Sequence, residues 1–245
     1  MNKVKRNRFI RKSHRYLGVV LGIQFLLWTA GGLYFSWTNI EDIRGDNLKK
    51  EDPLLAANIS LVSPTEASSE FLKASDSIAS IQLKKILERH FYQMIYYSGK
   101  EKHIKLIDAQ TGELRPPLSG EEAIEVARTK LNKEADVIET KYLEATGKHH
   151  EYREKPLPAY AVTFSEPVNT TVYVSSELGT VQSFRSTKWR VFDFLWMLHT
   201  MDYQERDNFN NYLLRAFSIF GIFTILSGFA LFIISSRWFV RKRKR

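Results

Sequence analysis

Tyr16 to Trp37 reads YLGVVLGIQFLLWTAGGLYFSW, with no acid, lysine, arginine or histidine. About 20 apolar residues carry a helix across the hydrocarbon core of a bilayer, so residues 16–37 are read as a first transmembrane helix. A second run, Tyr212 to Ile234, reads YLLRAFSIFGIFTILSGFALFII. Its one charge, Arg215, lies near enough to the start to reach the headgroups, and residues 212–234 are read as a second span. Tyr16, Tyr34, Trp37, Tyr212 and Trp238 fall near the span ends, where the membrane interfaces favour such rings.

Charge supplies the orientation. The chain has 245 residues, 36 basic against 27 acidic side chains and a net charge of +9. Seven of the basic residues (Lys3, Lys5, Arg6, Arg8, Arg11, Lys12, Arg15) precede the first span, and six (Arg237, Arg241, Lys242, Arg243, Lys244, Arg245) follow the second. The positive-inside rule places both tails, 1–15 and 235–245, in the cytoplasm. The segment between the spans is then exported, to the periplasm of a Gram-negative inner membrane. That segment is slightly acidic, which makes nucleic acid a poor partner. The tails themselves also have the composition of nucleic-acid arms or anionic-lipid clamps. The first run exceeds the usual 7–15 residue core of a signal peptide and no small-x-small site follows it, so it reads as an uncleaved anchor.

With no cysteine, disulfides, thiolate metal sites and cysteine nucleophiles are excluded. Mean hydropathy is −0.29, so most of the chain lives in water. Within 38–188 the pattern is helix followed by three strands, twice over. Ser63-Pro64-Thr65-Glu66 opens a short helix to about Ala74, and strands follow at Ser80–Ile86, His90–Tyr97 and His103–Asp108. Gln110-Thr111-Gly112-Glu113 makes the turn after them. Ser119, with Glu122 three residues on, has the form of a capping box. It opens a helix to about Leu131 that places Ala123, Val126, Ala127 and Leu131 on one side. Strands follow at Val137–Glu144, Ala159–Ser165 and Thr170–Ser175, closed by Glu177-Leu178-Gly179. Alternation in Tyr160, Val162, Phe164 and in Val172, Val174 is that of half-buried strands. The fold expected is α+β: two units, about 63–115 and 119–183, each a helix laid on an antiparallel sheet.

Pro158-Ala159-Tyr160-Ala161-Val162-Thr163-Phe164, with Thr171-Val172-Tyr173-Val174 and Leu178-Gly179-Thr180-Val181, resembles the paired strands and closing turn of the PepSY domain. Ile104-Lys105-Leu106-Ile107-Asp108 with Thr111-Gly112-Glu113 is similar to the same signature. Arg11-Lys12-Ser13-His14-Arg15-Tyr16-Leu17-Gly18 resembles the opening of PepSY-associated transmembrane proteins. So does Leu198-His199-Thr200-Met201-Asp202-Tyr203, continuing into Arg206-Asp207-Asn208-Phe209-Asn210. The resemblance covers nearly the whole chain. It implies two PepSY-like units in the periplasm and an accessory or regulatory role. Larger members carry four or more spans, and some resemble haem-carrying siderophore reductases; this chain has two.

Two histidines are candidate axial ligands for haem b. His14 sits at the cytoplasmic edge of the first span, and Gly18 and Gly22 follow at four-residue steps on the same face. Glycines there admit another helix or a flat macrocycle. His199 lies in Trp189–Tyr203, whose apolar positions Val191, Phe192, Phe194, Leu195 and Leu198 suit an interfacial helix on the outer membrane face, within 189–211. The bland alternatives are a headgroup-level polar residue for His14 and a backbone-bonded histidine for His199. At 1.5 Å per residue the two should stand roughly 30 Å apart. They do not serve one iron, and bis-histidine ligation requires a homodimer or another inner-membrane subunit.

His149-His150-Glu151 reads as part of a solvated hairpin loop, Gly147 to Lys155, and His90 and His103 as exposed strand ends. HExxH, GxSxG, phosphate-loop and dinucleotide motifs are absent from the sequence, and Asp202, Glu205 and Asp207 near His199 have no nucleophile beside them. Two functions follow. The first is a non-catalytic accessory or regulatory PepSY subunit anchored in the bilayer, with inhibition of a periplasmic peptidase as one role proposed for the domain family. The alternative is a haem-b electron carrier assisting ferric or siderophore iron reduction and so iron uptake.

Overall fold

A computed structural model describes residues 3–52, 54–167 and 169–235. The basic run from Arg237 onward lies outside the described residues. The protein is α+β, with long apolar helices at both ends and two antiparallel sheets between them. It divides into a helical unit, residues 1–39 and 191–245, and a sheet-bearing unit, residues 40–190.

In the helical unit, α1 (Lys3–Trp37) packs against α6 (Tyr212–Ser235). Both are long and apolar enough to cross a membrane. α1 begins well before Tyr16, because the basic residues ahead of it are good helix formers that continue the same hydrogen-bonded ladder. α5 (Thr187–Thr200) starts two residues earlier than its sequence pattern suggested. Its apolar positions divide: Val191 and Phe194 are exposed, while Phe192 and Trp196 pack onto Phe35 of α1. The position it buries most completely before its last residue is polar, Asp193, which is ion-paired to Arg206.

The sheet-bearing unit opens with α2 (Ile40–Arg44) and a single 3-10 turn. α3 (Pro64–Ser68) is five residues long, where the sequence suggested a helix to about Ala74. Proline occupies its first turn, but the Ser63 side chain makes no cap. Ser68 and Ser69 turn their hydroxyls back onto the carbonyls of Thr65 and Glu66, local bonds that compete with helix propagation.

β1 (Ser77–Ile86), β2 (Arg89–Ser98) and β3 (Glu101–Asp108) form a three-stranded meander in that order. One face carries Tyr92, Met94 and Ile107 against α3, and the other sends Ile86, Phe91 and Leu106 into the main core. His90 and His103 are half-buried rather than exposed, and His103 stacks on Tyr96 at 5.2 Å.

α4 (Gly120–Lys130) starts on the expected capping box: Ser119 accepts from the Glu122 N–H and Glu122 accepts from the Ser119 N–H. Its buried face, Ala123, Val126 and Ala127, lies on the second sheet. That sheet runs β4 (Val137–Leu143), β5 (Ala159–Phe164), β6 (Thr170–Ser175), β7 (Val181–Arg185). It therefore has a fourth strand beyond the three expected.

β5 and β6 are also buried on both faces rather than half-buried. Every residue of β6 is buried. Val162, Phe164, Val172 and Val174 face α4, and Ala159, Ala161 and Tyr173 are covered by the segment after β4, through Tyr152.

Candidate functional site

The helical unit surrounds His199 with aromatic rings. The His199 imidazole stacks on the Trp28 indole at 4.8 Å and 23°, Phe35 meets it edge-on at 5.7 Å, and Trp196 lies parallel at 6.3 Å. Helix spacing in α1 (28, 35) and in α5 (192, 196, 199) puts these rings on facing stripes. The last carbonyls of α5 have no partner within the helix, and neighbouring helices supply donors. Gln24 donates to the Leu198 carbonyl at 2.9 Å, Trp28 Nε1 to that of His199 at 2.6 Å, and Asn211 to that of Thr200 at 3.0 Å.

The chain then turns at Met201, with φ of 53°, into a loop organised by Asp202. The Asp202 carboxylate accepts from the N–H groups of Gln204, Glu205 and Asn208. Burial pushes that carboxyl up, but the backbone donors outweigh it and hold it below the usual carboxylate range.

His199 Nδ1 is buried and has no hydrogen-bond partner among the described residues. Burial pushes the imidazole down, keeping it neutral at ordinary pH. The backbone bond to this residue is made by its own carbonyl, not by its ring.

His14 occupies a different level. Its Nδ1 shares a 2.8 Å hydrogen bond with Ser227 Oγ, and its Cε1 would stand 3.3 Å from a Cβ placed on Gly228. Fourteen residues of helix separate His14 from Trp28, about 21 Å of rise. The two histidines therefore do not converge, although the rise between them is shorter than the roughly 30 Å expected from the sequence.

A Cβ on Gly18 or Gly22 would meet nothing within 4 Å, so neither is where α6 approaches. The close approaches belong to α6 itself, at Gly221 against Phe25 and at Gly228 against His14. For a haem, His14 would offer Nε2, with Nδ1 held by Ser227 in the manner usual for ligating histidines. The lane over Gly18 and Gly22 is open among the described residues, whereas the tight contact at Gly228 leaves no room for a macrocycle between the helices.

The sheet-bearing unit gathers a second polar cluster, around Glu151. The sequence placed this residue in a solvated loop, yet Glu151 is half-buried and Tyr152 is fully buried. Tyr152 stacks on Tyr173 at 4.5 Å and 11°, anchoring the segment to the sheet. Arg190 grips the Glu151 carboxylate through Nε at 2.7 Å and Nη2 at 2.9 Å, and Tyr173 donates to it at 2.8 Å. Arg190 also reaches the Asn169 carbonyl and Thr171 Oγ1, and Arg185 holds the Glu151 carbonyl.

Burial, followed by the adjacent Glu151 carboxylate, pushes the Tyr173 phenol up; burial pushes that of Tyr152 up to about 12. The hydrogen bond to Glu151 raises Arg190 further. Beside this cluster opens a cavity of about 410 Å³, walled by Glu139, Lys141, His150, Thr163, Tyr173 and Arg190. Among the described residues, no group of three or more His, Cys, Asp or Glu side chains is placed to hold a metal ion.

No protein-family model, curated protein or solved structure matches this chain.

Proposed function

We propose that the chain is a PepSY-type protein of the bacterial inner membrane. In this reading α1 and α6 cross the bilayer, both termini are cytoplasmic, and the sheet-bearing unit stands in the periplasm as an accessory or regulatory subunit that works by binding. One observation carries the membrane assignment. Many large apolar side chains of both helices point outward rather than into the pair, with Val20 71% and Phe232 63% exposed. A surface of that kind is costly in water and suits lipid. The closing of α5's terminal carbonyls by side chains meets the same demand, since a free carbonyl near hydrocarbon is expensive. A binding role is supported by the polar cavity beside β4 and by the state of its wall: Glu151, Arg190 and Tyr173 are committed to one another, which makes a rigid surface.

A second reading, a haem-b electron carrier in iron reduction, draws support from the His14–Ser227 pair and the open lane beside it. It requires a further axial ligand from another copy or subunit. A visible spectrum of the full chain purified in detergent from haem-replete cells separates the two. The accessory reading expects a colourless protein. A Soret band that disappears in His14→Ala would overturn it in favour of the carrier.

A further inference from the structure

We propose that the β4 edge is a self-recognition surface, which pairs antiparallel with β4 of a second copy about a two-fold axis at Thr140. Among the described residues β4 has a neighbour, β5, on one side only, and its residues 138–142 are all exposed, including Ile138 and Tyr142. Exposed edges invite strand addition, and proteins usually blunt them with charged side chains, a bulge or a cover.

Here the charges on the edge complement one another across Thr140. With Thr140 opposite itself, Glu139 faces Lys141 of the second copy and Lys141 faces its Glu139. Residues 139–141 form the regular part of this ladder, because a register shift against β5 falls at Ile138, between Val137 and Glu139. Each opposed pair is matched in kind, and directly opposed pairs are what stabilise an antiparallel ladder. Glu139 and Lys141 already form a 2.9 Å ion pair along one strand, so both lie on one face of the sheet, as the pairing requires. Their partners on β5, Thr163 and Ala161, wall the same cavity, which would then continue across the axis.

The other edges lack this property. β1 contains no acid to answer Lys84 and Lys85. β3 is covered where Leu106 and Asp108 bond to Arg115 and Glu113. β7 has the turn at Gly45 packed against Phe184. A symmetric interface of this type joins two four-stranded sheets into one and is closed by its two-fold axis.

The absence of cysteine makes the test direct. The full chain carrying Thr140→Cys is oxidised in native membranes and compared with Lys133→Cys, an exposed position off the strand. Disulfide-linked dimer is expected at Thr140→Cys, because directly opposed positions meet the distance requirement, and only background at Lys133→Cys. On the Thr140→Cys background, Glu139→Lys should lower the yield about tenfold by opposing like charges, and adding Lys141→Glu should restore it. A mixed experiment supplies an independent reading: differently tagged copies with Glu139→Cys and Lys141→Cys should cross-link to each other. Equal yields at Thr140→Cys and Lys133→Cys, a yield indifferent to charge reversal, or no mixed cross-link would each overturn the proposal.

Discussion

Trp28 holds His199 twice: its indole N–H donates to the His199 carbonyl at 2.6 Å, and its ring lies 4.8 Å from the imidazole of the same residue. The two contacts are separable by substitution. Trp28→Phe keeps an aromatic surface and removes the donor, leaving a helix-end carbonyl unpaired. It should destabilise the helical unit by about 1–2 kcal/mol, read as a lower midpoint in thermal unfolding of the detergent-solubilised chain. An unchanged midpoint would show that water or lipid satisfies that carbonyl instead.

His199→Phe should be nearly neutral at pH 7.5, since it preserves the ring packing and removes a buried nitrogen that has no partner among the described residues. Its effect should appear on acidification. Burial places the folded-state imidazole below its ordinary 6.5. Its contribution is therefore present above pH 6.5 and lost as pH falls through the folded-state value. Wild type should lose stability on that side, and His199→Phe should lose less. Parallel curves for the two proteins would contradict this.

Alkali should act on the sheet-bearing unit through Tyr152. Its phenol is raised from 10 to about 12, so the stability linked to it is intact below pH 10. Between pH 10 and 12 the unfolded chain gives up its proton while the folded one retains it, and about 2–3 kcal/mol is lost across that window. Tyr152→Phe should flatten this part of the profile, measured by denaturant unfolding at a series of pH values. A profile as steep as wild type would mean that another group governs it.

Replacing Glu151 by alanine should leave the Arg190 guanidinium and the Tyr173 hydroxyl without their shared acceptor. A cost of about 3 kcal/mol is expected for breaking a partly buried ion pair on one side. The double variant Glu151→Ala with Arg190→Met should recover part of it, and proteolysis between Gly147 and Lys155 reports the release of the segment.

Gly228→Leu should separate the helix pair, because a side chain there has no free path past His14, and overpacking costs about 1–3 kcal/mol. Gly22→Leu should be tolerated, its surroundings being open. Trypsin resistance in detergent distinguishes them.

The contrast between those two glycines shows what the sequence could and could not reveal. Four-residue spacing put His14, Gly18 and Gly22 on one stripe, but spacing does not say which stripe meets a neighbour. Only the packing assigns the close contacts to Gly221 and Gly228. Elements with strong local signals were legible: both apolar helices, the Ser119–Glu122 capping box, and strands β1 to β6 within a few residues. β7 escaped because Val-Gln-Ser-Phe-Arg is short and half polar, and its strand character comes from pairing with β6. Tyr152 and Glu151 were hidden in a charged segment whose single large ring decides where it folds. The cage around His199 draws on α1 and α5, far apart in sequence, and no local pattern marks it.

The assignment of compartment is tested most directly by single cysteines in this cysteine-free chain, labelled with a membrane-impermeant maleimide. Lys5 lies ahead of the first apolar run, and Leu54, 97% exposed, lies in the sheet-bearing unit. Leu54→Cys should react in intact spheroplasts, and Lys5→Cys only after lysis. Labelling of Lys5→Cys in intact spheroplasts, or protection of Leu54→Cys until lysis, would contradict a two-span protein with cytoplasmic ends and an exported domain.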